Sequence, residues 1–197
     1  KNKMKKITLS KYAGFCEGVK KAIEIAEQAV RSKAGPVYIL GHLVHNQRVM
    51  KELQKKGVQT ISNFNDKNKG TLIISAHGLG PKIKNQIIQQ GLKVIDTTCP
   101  KVIKIHQIAK LLKDKGYQII IAGDKNHIEV KGIKAWAGKN SIVISSPNEA
   151  KKIKIKKDQK IGLVAQSTQE TRNLEEIAAV LKLKQPALKI YDTICEP

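Results

Sequence analysis

Short apolar segments alternate with longer amphipathic segments along the chain, and this alternation most limits the folds that the chain can adopt. The apolar segments are unbroken runs of Ile, Val and Leu, which is typical of strands whose two faces are both covered. Parallel neighbours need a long crossover connection, so strands that alternate with helices favour βαβ units. We therefore predict an α/β fold with parallel sheets.

The predicted elements are short strands and longer helices, separated by turns such as Gly35-Pro36 and Lys115-Gly116. The predicted strands are Ile7–Leu9, Val37–Leu40, Thr71–Ser75, Lys93–Ile95, Gln118–Ala122, Ser141–Ser145, Ile161–Ala165 and Leu188–Tyr191. The predicted helices are Glu17–Lys33, Gln47–Lys56, Pro81–Gln90, Lys101–Lys115, Ile128–Ala137, Asn148–Lys152 and Gln169–Lys182. No apolar run approaches the ~18 residues of a membrane span, so we predict none.

An internal repeat divides the chain into similar units. Cys16, Cys99 and Cys195 each follow a strand or a strand-like segment, at steps of 83 and 96 residues. His45 lies 29 residues after the first cysteine, and His127 lies 28 residues after the second. Repeats of this length are domains rather than solenoid turns. Two of the cysteine loops are nearly the same, namely Asp96-Thr97-Thr98-Cys99 and Asp192-Thr193-Ile194-Cys195.

The repeat also predicts domain boundaries and the location of a site. We expect an N-terminal strand in residues 1–13, α/β domains over 14–96 and 97–192, and the start of a third unit at 193–197. Each unit offers a cysteine loop, a histidine loop and a third polar loop at the carboxyl ends of strands, where open α/β sheets bind ligands. The chain stops where a third unit would begin, so we expect a C-terminal unit of similar size to be missing.

The three cysteines leave several kinds of site open. Widely spaced cysteines are more often buried apolar residues than ligands. The sequence has no C-x-x-C pair, so a zinc ribbon or a thioredoxin motif has no support. Three thiolates from equivalent loops suit a soft metal, whereas an iron–sulfur cluster usually takes four. With three, one iron would remain open as a Lewis acid.

The strong positive charge points to a lysine-rich surface rather than to specific nucleic-acid recognition. Lys and Arg total 37 against 16 Asp and Glu, a net charge of +21, yet only Arg31, Arg48 and Arg172 are arginines. Arginine is the residue suited to bidentate recognition of bases and phosphates, and aromatic residues for base stacking make up only 4%. An acidic protein partner would be attracted to such a surface.

Seven motifs, in this order and spacing, resemble the 4-hydroxy-3-methylbut-2-enyl diphosphate reductase (LytB/IspH) family. They are Gly14-Phe15-Cys16-Glu17-Gly18-Val19, Val44-His45-Asn46, Ser75-Ala76-His77-Gly78, Asp96-Thr97-Thr98-Cys99-Pro100, His127-Ile128-Glu129-Val130, Gln166-Ser167-Thr168 and Asp192-Thr193-Ile194-Cys195. The resemblance covers about the first two-thirds of that family. It implies a trefoil of three α/β domains, two of them in this chain, around a central [4Fe-4S] cluster. It also implies reductive removal of an allylic hydroxyl, the last step of the methylerythritol phosphate pathway to isopentenyl and dimethylallyl diphosphates.

The resemblance further implies a role for each matching residue. Three cysteines would hold the [4Fe-4S] cluster: Cys16, Cys99 and Cys195. Residues at the diphosphate would be His45, His77, His127, Asn46, Ser167 and Thr168. Glu129 would supply protons as the C–O bond breaks. Ser167 would be the second catalytic residue, because its hydroxyl would orient Glu129 and the substrate. His42 and His106 fall outside the motifs, and we predict structural roles for them.

Three positions depart from the family pattern without removing a ligand. Ile128 replaces a usual proline, Lys131 stands where a carboxylate is common, and Ser167 aligns with a threonine. Serine keeps the hydroxyl but loses the methyl group that restricts its rotamer. Because a third unit would complete the diphosphate site, we expect these 197 residues alone not to be a competent reductase.

The resemblance implies partners and a location as well. We expect an allylic diphosphate substrate and a ferredoxin or flavodoxin electron donor, with no membrane and no specific nucleic acid. We expect a cytoplasmic location in bacteria, or a plastid location. Three other classes remain open: a basic α/β module that binds nucleic acid, a zinc-binding or thiol redox protein, and a simple iron–sulfur electron carrier. Only the reductase uses the cysteines, the three histidines and Glu129 together.

Overall fold

A computed structural model describes residue 8 and residues 13–195. Ile7 and Leu9 of the predicted first strand lie outside the described residues. The described helices are α1 Glu17–Arg31, α2 Gln47–Lys55, α3 Pro81–Gln89, α4 Pro100–Asp114, α5 Ile128–Ala137, α6 Pro147–Lys152 and α7 Thr171–Lys184. The described strands are β1 Val37–Leu40, β2 Val58–Ile61, β3 Thr71–Ile74, β4 Lys93–Asp96, β5 Gln118–Ala122, β6 Ile142–Ile144, β7 Ile161–Ala165 and β8 Lys189–Ile190.

The strands form two four-stranded parallel sheets of the same topology. The first has the order β2-β1-β3-β4 and the second has the order β6-β5-β7-β8. The prediction of an α/β fold with repeated parallel sheets is therefore confirmed. All seven predicted helices are present within a few residues of their predicted bounds. Strand β2 was not predicted, because only Val58 of its four residues is buried and it forms an edge of its sheet.

Helices cover both faces of each sheet. In the second sheet, Ile119 and Ile121 of β5 pack in a core that contains residues of α4 and α5. Ile120 and Ala122 point to the opposite core, which contains residues of α6 and α7. This alternation follows from the two-residue period of a strand. The first sheet is covered likewise by α1 and α2 on one face and by α3 on the other.

Glycines in the loop that follows β3 allow this loop to pack closely against α4 and α5. A Cβ atom at Gly78 would lie 2.7 Å from Cε1 of His106, and the φ angle of +73° at this glycine suits few other residues. A Cβ at Gly80 would lie 2.4 Å from Cβ of Ala135 on α5. The indole Nε1 of Trp136 donates a hydrogen bond of 3.1 Å to the carbonyl of Leu79. These contacts hold α5 of the second unit against the β3 loop of the first.

Candidate functional site

Three histidines from three different loops meet between the two sheets. His45 lies between β1 and α2, His77 follows β3, and His127 is the residue that caps α5. Their ring centroids are separated by 4.5 Å for His45 and His77, 5.4 Å for His45 and His127, and 5.7 Å for His77 and His127. A cavity of about 350 Å³ opens beside the rings, and its other lining residues are Gly41, His42, Asp124, Asn126 and Ile128.

Burial and mutual repulsion keep two of these rings neutral. Burial, together with the neighbouring histidines, lowers the pKa of His77 from 6.5 to about 4. Burial also lowers the pKa of His45, with smaller contributions from His127 and His42. Both rings are therefore uncharged at neutral pH when no anion is bound. A bound anion would reverse part of this shift, because it favours the protonated imidazole.

The cap of α5 determines how His127 presents its ring. The backbone N–H of Glu129 donates a hydrogen bond of 3.2 Å to Nδ1 of His127. An accepting Nδ1 carries no proton, so the proton of the neutral ring is on Nε2. The helix thus leaves Nε2–H as the only donor of this ring. In the same cluster, Nδ1 of His77 lies 3.4 Å from the hydroxyl oxygen of Ser75.

The carboxylate of Glu129 is buried and has hydrogen-bond partners at both oxygens. The side chain is in the first turn of α5, two residues after His127, and is 2% exposed. Its Oε1 accepts a hydrogen bond from the Ser167 backbone N–H (2.6 Å) and its Oε2 accepts one from the Ser167 hydroxyl (2.7 Å). The structure therefore brings the two predicted catalytic residues together. Among the described residues this is the only buried acidic side chain, and the backbone N–H of the same residue bonds to the ring of His127.

Gln166 contributes to this arrangement, although the motif Gln166-Ser167-Thr168 predicted a role only for its serine and threonine. The side chain is 7% exposed; its Oε1 accepts a hydrogen bond from the Asp124 backbone N–H (3.1 Å), and its Nε2 donates one to the Thr168 hydroxyl (2.8 Å). It thereby ties the loop that leads to His127 to the loop that carries Ser167. A polar residue directly after the apolar run of β7 was the signal that could have identified it.

The two Asp-Thr-x-Cys loops share one hydrogen-bonding pattern. In each loop the aspartate Oδ1 accepts from the N–H two residues later, at 3.0 Å for Asp96 and 3.1 Å for Asp192. Each threonine hydroxyl bonds to the end of the neighbouring strand, Thr97 to the Ile74 carbonyl (2.5 Å) and Thr193 to the Ala165 carbonyl (2.7 Å). The similarity of the two sequences is thus a similarity of loop structure.

Each of these loops then anchors its cysteine to a loop that carries a predicted site residue. The N–H of Cys99 donates to the carbonyl of Ala76 (3.0 Å), next to His77. The N–H of Cys195 donates to the carbonyl of Ser167 (2.7 Å). The repeated motif therefore bonds Cys99 to the loop that carries His77, and Cys195 to the loop whose Ser167 binds Glu129.

The cysteines have the chemistry that a metal cluster needs. None of the three is in a disulfide. Cys16 and Cys99 occupy the N-cap positions of α1 and α4 without a side-chain capping bond, and the positive end of a helix favours a thiolate. A Cβ at Gly18 would lie 3.1 Å from Sγ of Cys99. Because glycine has no side chain, the first turn of α1 can pack closely against this sulfur. In their chemistry, three soft thiolate donors are suited to an iron–sulfur cluster.

The remaining candidates have simpler places in the fold. The Asn46 side chain caps α2 by accepting from the N–H of Val49 (3.1 Å), and the exposed Thr168 accepts from Gln166. His106 is 6% exposed and stacks on Trp136 with centroids 5.7 Å apart, in agreement with the structural role predicted for it. His42, which belongs to none of the motifs and was predicted to be structural, also lines the histidine cavity.

A larger groove does not coincide with this site. It has a volume of about 730 Å³ and lies between α1 and α2, where several lysines and glutamates line it. Of the residues predicted to act at the site, only Asn46 borders it. The chemistry-bearing side chains therefore surround the smaller cavity.

The sequence matches the family described as LytB protein over residues 7–197. The chain belongs to the LytB family. The 4-hydroxy-3-methylbut-2-enyl diphosphate reductase of Geotalea daltonii is 37% identical over 191 residues, which cover 97% of this chain and 67% of that relative. The enzyme of the same name from a Thermoanaerobacter species is 40% identical over 195 residues, with the same two coverages.

Solved structures of LytB relatives have the same fold as this chain. The E-1-hydroxy-2-methyl-but-2-enyl-4-diphosphate reductase from Plasmodium falciparum aligns with a TM-score of 0.89 and 34% identity, covering 94% of this chain and 59% of that one. A second structure, described as (E)-4-hydroxy-3-methyl-but-2-enyl diphosphate reductase, the terminal enzyme of the non-mevalonate pathway, aligns with a TM-score of 0.81 and 34% identity. It covers 96% of this chain and 68% of that one. The chain thus spans about two-thirds of its LytB relatives.

Proposed function

We propose that the protein acts as a 4-hydroxy-3-methylbut-2-enyl diphosphate reductase that forms isopentenyl and dimethylallyl diphosphates. The observation that carries this proposal is the close approach of three histidine rings, one of which, His127, caps the helix whose first turn carries the buried Glu129, a carboxylate held by Ser167. Family membership and the matching names of several relatives support it. The overall reaction breaks a C–O bond, consumes two electrons and two protons, and releases water.

Three residues would hold the cofactor in this proposal, namely Cys16, Cys99 and Cys195. A [4Fe-4S] cluster bound by three thiolates would supply electrons and an iron that is open to the substrate hydroxyl. The chain's own contribution is to present Cys99 and Cys195 from two loops of the same structure, and Cys16 and Cys99 at helix N-caps. Gly18 leaves room beside the Cys99 sulfur.

The histidine cavity would bind the diphosphate. His127 offers its Nε2–H, and His45 and His77 can each donate at least one hydrogen bond to a phosphate oxygen. The N-termini of α2 and α5 add positive potential in the same region. Asn46 and Thr168 border these loops and would complete the contacts. The negative charge of the diphosphate would raise the lowered pKa values of His45 and His77, so we expect these two imidazoles to take up protons on binding.

Glu129 would deliver a proton to the reacting end of the substrate. The Ser167 N–H and hydroxyl hold its two oxygens in fixed directions, so the carboxyl needs little reorganisation before transfer. The hydroxyl of Ser167 is itself within hydrogen-bond distance of the carboxylate Oε2 and can exchange a proton with it. Serine in place of the family threonine preserves this contact.

The protein surface suits an acidic electron donor. The net charge is +21 and would attract a ferredoxin or flavodoxin, which are generally acidic. We place the protein in the bacterial cytoplasm or in a plastid, where cysteines remain reduced. In the described part of the chain, no helix is both long and apolar enough to cross a membrane.

The test is iron and acid-labile sulfide analysis after anaerobic reconstitution of this chain, with the full-length Geotalea daltonii relative as a positive control. About four iron and four sulfide per chain, lost in Cys99→Ser, would support the proposal. Zinc without sulfide would contradict it and favour a zinc-binding protein. In a full-length protein that carries this segment, turnover of the allylic diphosphate with a chemical reductant, abolished by Glu129→Gln while the cluster content is retained, would separate the proton-transfer role from cofactor binding.

A further inference from the structure

Helix α4 has an exposed apolar strip on the side that faces away from the core. Ile103 and Leu111 are 41% and 46% exposed, unlike the apolar residues of the same helix that pack against the sheet. The two residues are eight positions apart, so they lie on one side of the helix, about 12 Å from each other, with the exposed Gln107 between them. Exposed apolar side chains that are grouped in this way and surrounded by polar residues are typical of contact sites for other proteins.

Lysines surround this strip. The helix and its C-cap residue carry five lysines, and Asp114 is their only acidic residue. The five lysines, all exposed, are Lys101, Lys104, Lys110, Lys113 and Lys115. Within the described part of the chain, only Lys110 among them is in an ion pair, with Asp114 at 2.6 Å. The α4 face, meaning the strip and these five lysines, therefore has an apolar centre and a positive rim, which suits an acidic protein partner.

The position of the helix connects the α4 face to the proposed cofactor site. Cys99 is the N-cap residue of α4, and its carbonyl accepts a hydrogen bond of 2.9 Å from the N–H of Ile103. The strip thus begins one helical turn from a residue that would hold the cluster. An electron donor has to bring its redox centre close to the acceptor, because electron transfer slows steeply with distance. We propose that the α4 face docks a small acidic protein that donates electrons, an inference that rests on the proposed reductase function.

The most lysine-rich segment of the chain fits such a partner less well. Residues 151–160 include six lysines, but Ile153 and Ile155 between them pack against the core, so this surface lacks an exposed apolar centre. The carbonyl of Lys160 accepts a hydrogen bond of 2.8 Å from the N–H of Gln118, the first residue of β5. The segment therefore borders the amino-terminal ends of the strands, whereas the cysteines follow the carboxyl ends.

Helix α1 also begins at a cysteine but lacks the charge. Phe15, next to Cys16, is 41% exposed and offers an apolar contact. The helix carries three acidic and three basic residues, so it has no excess of positive charge. The exposed Glu17 lies directly after Cys16 and would repel an acidic partner. Of the two helices that begin at a cysteine, only α4 combines exposed apolar residues with a positive rim.

The small size of the strip agrees with a partner that comes and goes. A one-electron donor is oxidised by one electron at each visit, and the proposed reaction consumes two electrons, so two donors must dock and leave in turn. Interfaces of electron-transfer proteins are small, below about 1,200 Å², which keeps their complexes weak and reversible. A strip with two large apolar side chains is consistent with such an interface.

The test uses a full-length protein that carries this segment, with an oxidised plant-type [2Fe–2S] ferredoxin as the probe. Isothermal titration is performed at about 0.1 M ionic strength, where a Debye length of about 10 Å limits the effect of a charge to its neighbourhood. Lys101→Glu/Lys104→Glu should raise Kd by at least about tenfold, because like charges then face each other. Ile103→Ser, which changes no charge, should raise Kd as well. The matched control Lys154→Glu/Lys156→Glu makes the same change in net charge elsewhere and should leave Kd within about threefold.

Turnover supplies a second readout. In Lys101→Glu/Lys104→Glu, the KM for reduced ferredoxin should rise, whereas turnover with a chemical reductant should be retained. Circular dichroism checks that each variant is folded. A failure of the reductase function would be seen separately, as missing iron and sulfide or as no turnover with the chemical reductant, and neither measurement depends on the α4 face.

Three outcomes would overturn the docking proposal. Equal weakening in the two double variants would mean that net charge alone attracts the ferredoxin. An unchanged Kd in both α4 variants would locate the contact on another surface. Self-association of the native protein that is lost in Ile103→Ser, measured by sedimentation, would assign the α4 face to a second copy of the chain.

Discussion

Ser167 contacts Glu129 twice, through its backbone N–H at 2.6 Å and through its hydroxyl at 2.7 Å, so one residue occupies both oxygens of the buried carboxylate. The two residues are 38 positions apart and belong to different β-strand connections of the second sheet. Their contact joins the β7 loop to the first turn of α5. The same two hydrogen bonds therefore stabilise the fold and orient the carboxyl group that we propose transfers a proton.

Ser167→Ala should lower the free energy of unfolding by about 1.5–3 kcal/mol, because it removes a hydrogen bond to a buried charged group. Denaturant unfolding at pH 7 measures this. Ser167→Thr keeps the hydroxyl and should remain close to native stability, which makes it the matched control. An alanine variant within about 0.5 kcal/mol of the native protein would show that the hydroxyl contributes little to holding Glu129.

Thr193→Val should destabilise the chain more than Thr97→Val. The Thr193 hydroxyl accepts from the Ala165 N–H (2.8 Å) and donates to the Ala165 carbonyl (2.7 Å), so valine deprives two buried backbone groups of this partner. At the equivalent position, the Ile74 carbonyl keeps a bond from the Thr97 N–H (3.1 Å) after the hydroxyl is lost. We expect losses of about 2–3 and about 1 kcal/mol, respectively, in denaturant unfolding. Equal losses would argue against this difference between the two loops.

Gln166→Leu should loosen the loop that leads to His127, because it removes the acceptor of the Asp124 N–H and the donor to Thr168. Hydrogen exchange at residues 124–128 should become at least several-fold faster. Gln166→Glu keeps an acceptor for the Asp124 N–H and should protect the loop better than leucine does. If both variants exchange like the native chain, the glutamine does not order this loop.

Stability should fall as the pH is lowered from about 6.5 towards 4. Burial lowers the pKa of His106 to about 4, and its Nε2 is buried without a hydrogen-bond partner. The unfolded chain therefore protonates this histidine near pH 6.5, whereas the folded chain protonates it only near pH 4. The contribution of His106 to the free energy of unfolding is complete above pH 6.5 and is lost as the pH falls from 6.5 to 4. For His106 the loss is on the order of 3 kcal/mol.

His106→Phe isolates this effect, because phenylalanine can still stack on Trp136 but does not titrate. The variant should lose less stability than the native chain between pH 7 and pH 4.5 in parallel denaturant unfolding curves. Parallel loss in the two proteins would mean that other groups, such as the carboxylates, account for the acid sensitivity.

Gly18→Ala should lower cluster incorporation while leaving the apo chain folded. In α1, alanine favours the helix over glycine by up to about 1 kcal/mol, which offsets the cost of the close approach of the new Cβ to the Cys99 sulfur in the apo chain. The new Cβ would lie 3.1 Å from the Cys99 sulfur, so iron and sulfide incorporation should fall. Lys21→Ala, at an exposed position of the same helix, should leave incorporation unchanged. Normal cluster content in Gly18→Ala would contradict a role for this glycine.

Most of the fold was predictable because its parallel sheets are buried on both faces. The strand β5 illustrates this, since its apolar residues 119–122 are all buried between two helical layers. Strand β2 was missed for the complementary reason. Its residues Gln59 and Thr60 are exposed at the sheet edge, so no apolar run marked it, and only pairing with β1 makes it a strand.

The linear order of residues by itself determined the α/β class, the repeat and the set of loops that carry the site. It placed the histidines, Glu129 and the cysteines after strands, and parallel strands bring such loops to one edge. The tertiary structure alone decided which of these side chains touch. The 4.5 Å approach of His45 and His77 and the hold of Ser167 on Glu129 depend on close packing between elements distant in the chain. These distances cannot be predicted from local sequence, because they result from how whole helices and sheets pack.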